Sequence, residues 1–122
     1  MGRVIHFEIS VDDTKKAVAF YKKVFGWKIE KWGGEGMEYW LVSTGEKSAP
    51  GIDGAIMPRE KDFPPTVNTI AVDDLDKAMK DVKAAGGKVV SKKNEIPKVG
   101  WFCYCLDADG NMFGMLQQTG TM

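Results

Sequence analysis

The sequence predicts an α+β fold of two tandem βαβββ units whose sheets enclose a cleft, and three observations carry that expectation. The first is an internal repeat. Val11-Asp12-Asp13 recurs as Val72-Asp73-Asp74, Lys16-Ala17 as Lys77-Ala78, Lys22 as Lys83 and Gly26 as Gly87, all at one constant offset. The second is that each copy opens with strand-like alternation and passes into a helix-period stripe. The third is that strand-like runs separated by turn residues follow each stripe.

In the first copy, residues 4–11 alternate, so Ile5, Phe7, Ile9 and Val11 point one way and His6, Glu8 and Ser10 the other. A helix is expected near residues 13–25, with Ala17, Phe20, Tyr21 and Val24 as its apolar stripe and Gly26 ending it. Strands are expected at Trp27–Trp32, Met37–Ser43 and Ile52–Met57. Gly33-Gly34-Glu35-Gly36 reads as a hairpin loop; it precedes a strand, so it is no phosphate-binding fingerprint, which needs a helix N-terminus. In the second copy Thr66–Val72 is the first strand. Leu75, Ala78, Met79 and Val82 form the stripe of a helix near residues 74–85, and Lys88–Ser91, Trp101–Leu106 and Met112–Gln117 complete the unit. Arg59–Pro65 is a linker, because Pro64-Pro65 cannot continue a strand ladder. The expected organisation is one domain over residues 1–122, built from repeat units 1–58 and 66–120.

Composition narrows the function classes. With 43% apolar and 28% charged residues the chain has the make-up of an ordinary globular protein. No apolar run approaches the roughly 20 residues that cross a bilayer. Seventeen basic and seventeen acidic side chains cancel, which removes the usual electrostatic case for a nucleic-acid or membrane partner. The N-terminus enters strand-like sequence directly, without a signal peptide, so a cytoplasmic location is expected. Cys103 and Cys105 sit two apart in a strand-like run, where disulfide geometry is hard to reach, and read as reduced packing residues. No Ser-His-Asp order or Cys-His pair exists around His6, the one histidine.

The run from Val4 to Asp13, followed by Ala19-Phe20-Tyr21 and Val24-Phe25-Gly26-Trp27, resembles the opening of the glyoxalase/bleomycin-resistance/extradiol-dioxygenase superfamily, also called the vicinal oxygen chelate superfamily. Ile70-Ala71-Val72-Asp73-Asp74, Gly86-Gly87-Lys88-Val89 and Asp107-Ala108-Asp109-Gly110-Asn111 are similar to its later landmarks, so the resemblance covers nearly the whole chain. It implies a small-molecule ligand in the cleft and a homodimer. In enzymes of the family it also implies a divalent metal, held by His, Glu or Gln on the first and fourth strands of each unit, that binds two neighbouring substrate oxygens.

Carried over position by position, that ligand set keeps only His6. Its repeat mate is Val67, and the fourth-strand positions fall on Gly54 and Gly114. Asp53 would need a one-residue slip that moves it to the other face. The expectation is therefore no metal and no other cofactor, with a divalent metal as the alternative. His6 and Glu8 are the catalytic candidates. The expected ligand-binding residues are His6, Glu8, Trp40, Gly54, Val67, Trp101 and Gly114, the two glycines leaving open space and the two tryptophans walling the cleft. Three functions remain open: a small-molecule binding protein or metal-free enzyme of the superfamily, a metal-dependent lyase or isomerase resembling lactoylglutathione lyase, and an interaction subunit with a vestigial cleft. Whether the protein is an enzyme stays open at this point.

Overall fold

The structure, a computed structural model, describes residues 2–32 and 38–119. Its elements follow in the order β1 (Val4–Val11), α1 (Thr14–Phe25), β2 (Lys28–Trp32), β3 (Tyr39–Ser43), β4 (Asp53–Pro58), β5 (Thr66–Ala71), α2 (Leu75–Ala84), β6 (Lys88–Val89), β7 (Asn94–Ile96), β8 (Gly100–Leu106) and β9 (Met112–Gln118). This is the expected α+β order with one added strand. Met37 and the Gly33–Gly36 loop lie outside the described residues.

The chain divides into two compact units, one running from His6 to Val67 and the other joining Met1–Ile5 to Asn68–Met122. The boundary differs from the repeat units read in the sequence, because the N-terminal segment pairs with the later half. Ala71 N donates to Arg3 O at 2.8 Å and Gly2 N donates to Ala71 O at 3.1 Å.

The repeat has a physical counterpart at the helix starts. Asp13 caps α1 by accepting from Lys16 N at 3.1 Å, and Asp74 caps α2 by accepting from Lys77 N at the same distance. Each cap satisfies a backbone donor that the first helical turn leaves without a partner, worth about 1 kcal/mol. Gly26 ends α1 in the left-handed conformation at φ 70°, which a side chain would disfavour.

In the first unit β3 lies antiparallel between β2 and β4, and β4 pairs in parallel with β1. Val18 of α1 meets Ile29, Val42 and Ile56, with Phe7, Ile9, Val11, Ala17, Tyr21, Trp27 and Trp40 packed around them. The α1 stripe is rotated from the expected one. Thr14, Ala17, Val18 and Tyr21 face the sheet, whereas Phe20 and Val24 are more than half exposed. Four apolar positions at helical spacing cannot by themselves say where the stripe is centred, and the sheet selected the flank that carries Val18.

In the second unit β9 lies between β5, in parallel, and β8, antiparallel. Leu75 of α2 packs on Cys103, Cys105 and Met115. The two thiols are free and buried with their sulfurs 3.8 Å apart, and burial pushes Cys103 up to about 12, so they act as packing groups. The strand expected over Lys88–Ser91 is shorter in the structure, where β6 spans only Lys88–Val89. Val90 N and Ser91 N both donate to Tyr104 O, a local bulge that ends β6, and β7 then pairs with the remainder of β8.

Gly54 sits opposite Phe7 in the β1–β4 ladder, and a Cβ there would meet the Phe7 carbonyl oxygen and lie 2.6 Å from its ring. Gly54→Ala is expected to destabilise the protein by about 1–3 kcal/mol in urea unfolding. Gly45→Ala, whose Cβ would meet nothing within 4 Å, is expected to change stability by less than about 0.5 kcal/mol. Equal effects from the two substitutions would show that Phe7 yields without cost.

Candidate functional site

Residues opposite each other in a strand ladder share a face, so the β1–β4 register decides which side chains meet. His6 lies opposite Asp53, Phe7 opposite Gly54 and Glu8 opposite Ala55. Phe7, Ile9 and Val11 pack toward α1. The face away from α1 therefore carries His6, Glu8 and Ser10 from β1 and Asp53 from β4. β3 adds Tyr39, two residues from Leu41, which pairs with Ala55.

On this face the Tyr39 hydroxyl joins the two catalytic candidates. His6 Nε2 is 3.0 Å from the Tyr39 oxygen, and Tyr39 donates to Glu8 Oε2 at 2.8 Å. Glu8 is only 5% exposed, so this bond supports a carboxylate largely removed from water. The Trp32 ring meets Tyr39 edge-on with centroids 6.1 Å apart. Asp53 Oδ1 accepts from Thr44 N at 2.9 Å and from Thr44 Oγ1 at 3.3 Å. Burial lowers the pKa of His6, while the negative charges of Glu8 and Asp53 oppose that shift without cancelling it.

Of the expected site residues, His6 and Glu8 are together on the helix-free face, and three others are not on such a face. Gly54 faces α1, where the Phe7 ring fills the space a side chain would take. Trp40 packs on the α1 core, because it pairs with Ile56 and sits two residues from Val42. Trp101 packs on the α2 core, two residues from Cys103, with Lys93 Nζ 5.0 Å from its ring centre. In the second unit Gly114 lies opposite Thr69 and Tyr104, away from α2. The expected open space there is occupied: a Cβ on Gly114 would lie 2.6 Å from the Phe102 ring and 3.2 Å from Thr69 Oγ1. Val67 is buried, two residues before Thr69 in β5. Tyr39 and Trp32 were missed, and Asp53, set aside in the sequence as belonging to the other face, lies on the His6 face without any slip because it pairs directly with His6. Their signal was the alternation from Val42, which turns Trp40 inward and Tyr39 outward, and the strand pairing that sets Asp53 beside His6.

The metal implied by the resemblance would have to draw here on His6, Glu8 and Asp53. Tyr39 already engages the first two and Thr44 the third. Among the described residues no three or more His, Cys, Asp or Glu side chains gather so as to hold a metal ion.

The order of strands and helices, with His6, Tyr39 and Glu8 on the face opposite the α1 core, is that of paired βαβββ units. The chain matches the Glyoxalase/Bleomycin resistance protein/Dioxygenase superfamily over residues 3–115 and belongs to it. CFP32 of Mycobacterium bovis, a protein provisionally named a glyoxylase, is 30% identical over 118 residues, covering 95% of this chain and 44% of CFP32. This chain thus spans less than half the length of the curated relatives it matches. A methylmalonyl-CoA epimerase in complex with methylmalonyl-CoA and NH4+ superposes with a TM-score of 0.72 at 17% identity, covering 98% of this chain and 96% of the epimerase. The Mycobacterium tuberculosis methylmalonyl-CoA epimerase does so with 0.66 at 18% identity, covering 94% and 86%. At these identities the likeness is one of fold.

A histidine that is harder to protonate when folded binds fewer protons than it does in the unfolded chain, so stability falls as the pH falls. The His6 contribution is fully present above its ordinary value of 6.5 and is lost as the pH drops from there through the lowered folded value. Urea midpoints measured across that range are expected to decline more steeply for the natural protein than for His6→Gln. Parallel declines would remove His6 as the source.

Proposed function

We propose that this protein binds a small molecule on the helix-free sheet face that carries His6, Tyr39 and Glu8, without the superfamily's full metal site. The observation that supports this reading is the hydroxyl bridge. Tyr39 places a neutral hydrogen-bonding group between the two side chains that would otherwise be the strongest metal donors, and a metal taking both would have to break a partly buried interaction. Trp32 and Tyr39 add aromatic surface beside polar groups, the combination that fixes both the plane and the orientation of a small ligand. The proposed setting is the cytoplasm; no described helix is long and apolar enough to cross a membrane.

The second reading, a metal-dependent lyase or isomerase, draws on Asp53, which shares the His6 face, and on the glyoxylase in the name of CFP32. Metal titration into chelator-treated protein separates the two readings. Binding of nickel, zinc or manganese no tighter than to a surface histidine, and unchanged in His6→Ala, is the expected result. Tight stoichiometric binding that is lost in His6→Ala, with metal-dependent turnover of the methylglyoxal–glutathione hemithioacetal, would establish the lyase instead. Native mass spectrometry of the metal-free protein is expected to show a co-purified small molecule that Tyr39→Phe retains less well.

A homodimer is also proposed. The resemblance implies it, and CFP32 is more than twice the length that this chain matches, a length that a second copy would supply. Light scattering at micromolar concentration is expected to give twice the monomer mass of 13.5 kDa. A monomer would count against it.

A further inference from the structure

Resting on the reading of His6, Tyr39 and Glu8 as the ligand-binding face, we infer that Tyr39 is a positioning residue that fixes the tautomer of His6, leaving Nδ1 as a proton acceptor for a ligand that carries a weakly acidic proton. A carboxylate has no hydrogen to give, so the 2.8 Å contact between Tyr39 and Glu8 Oε2 consumes the one hydroxyl proton of Tyr39. The same oxygen is 3.0 Å from His6 Nε2 and can then only accept, which makes Nε2 the protonated nitrogen. In the neutral imidazole one nitrogen carries the proton and the other carries the lone pair, and the partner of the first decides which is which. Nδ1 is therefore the basic atom, and His6 makes no other hydrogen bond among the described residues.

The arrangement follows the logic of a base oriented by a polar group that is itself held by a carboxylate. Glu8, opposite Ala55, draws the Tyr39 proton and strengthens the hydroxyl oxygen as an acceptor. In the reversible step that results, the ligand's X–H bond breaks, its electron pair stays on X, and the proton goes to Nδ1. The imidazolium keeps its Nε2–H on Tyr39, and return of the proton restores both partners. The favoured ligands are proton donors, such as an acidic C–H beside a carbonyl or a weakly acidic O–H, rather than groups that can only accept.

A chain with a single histidine makes the test direct, because the full-length protein labelled with nitrogen-15 at histidine gives one imidazole spin system. Above the His6 titration range, Nε2 is expected to show the pyrrole-type resonance and Nδ1 the pyridine-type one. Tyr39→Phe is expected to return the ring to a tautomer mixture, with its amide spectrum otherwise native. An Nδ1–H tautomer in the natural protein, or a tautomer unmoved in a folded Tyr39→Phe, would overturn the positioning role. Phenol then probes the ligand class, with anisole as the same ring lacking the proton. Phenol is expected to shift Nδ1 and anisole not to. Equal or absent responses would overturn the proton-donor specificity. Absence of a co-purified small molecule would count against the proposed function and leave the tautomer result untouched.

Discussion

The parallel pairing of β1 with β4, with His6 opposite Asp53 and Phe7 opposite Gly54, is the constraint on which the first unit depends. Strand side chains alternate with a period of two, so this one register assigns every residue of both strands to a face. It sends Phe7, Ile9 and Ile56 to the α1 core and keeps His6, Glu8 and Asp53 on the opposite side. The pairing is locked sterically. The Phe7 ring lies over Gly54, and a slip by one residue would set that ring against a side chain while turning buried Glu8 into the hydrocarbon core. Stability and chemistry are therefore set by the same hydrogen-bond ladder.

Packing on the helix side explains why so much of the aromatic content serves structure. Tyr21 stacks on Trp27 with ring centres 4.7 Å apart, and Phe7 and Phe25 close on Trp27 from other sides. Trp40 joins the same core, and Trp101 does the corresponding work under α2. The tryptophans at these positions bury large apolar surfaces in units too small to be held by aliphatic residues alone. On the other face of the first unit Tyr39 stands with Trp32 beside it, and there the hydroxyl connects His6 to Glu8.

Membership of the superfamily places this chain among proteins whose fold is shared and whose chemistry is local. The fold likeness to methylmalonyl-CoA epimerases spans 98% of the chain, yet the 17% identity leaves the site residues free to differ. The His6–Tyr39–Glu8 chain is such a local solution. It pairs a Glu8 side chain that is only 5% exposed, where an unpaired carboxylate would be costly, with a hydroxyl that also meets His6.

The amino-acid sequence by itself determined the α+β class, the repeat, the places of both helices, and the sides of β1, because these follow from local periodicity. It also marked His6 and Glu8 as partners, two positions apart on one alternating strand. Only the tertiary structure decided which residues on other strands join them. Gly54 reads as the cleft position when the family's fourth-strand ligand site is carried over, but pairing across the sheet puts Asp53 beside His6 and turns the glycine toward Phe7. Trp40 and Trp101 read as cleft walls from their size, whereas the register of β3 with β4 and of β8 with β9 packs them beside the helices. The same holds for Tyr39, one residue from Trp40, whose meeting with His6 and Glu8 joins β3 to a strand it does not pair with. The physical reason is that periodicity fixes the relative facing of residues within a strand, while the pairing between strands, a property of the folded chain, fixes whose side chains share a face.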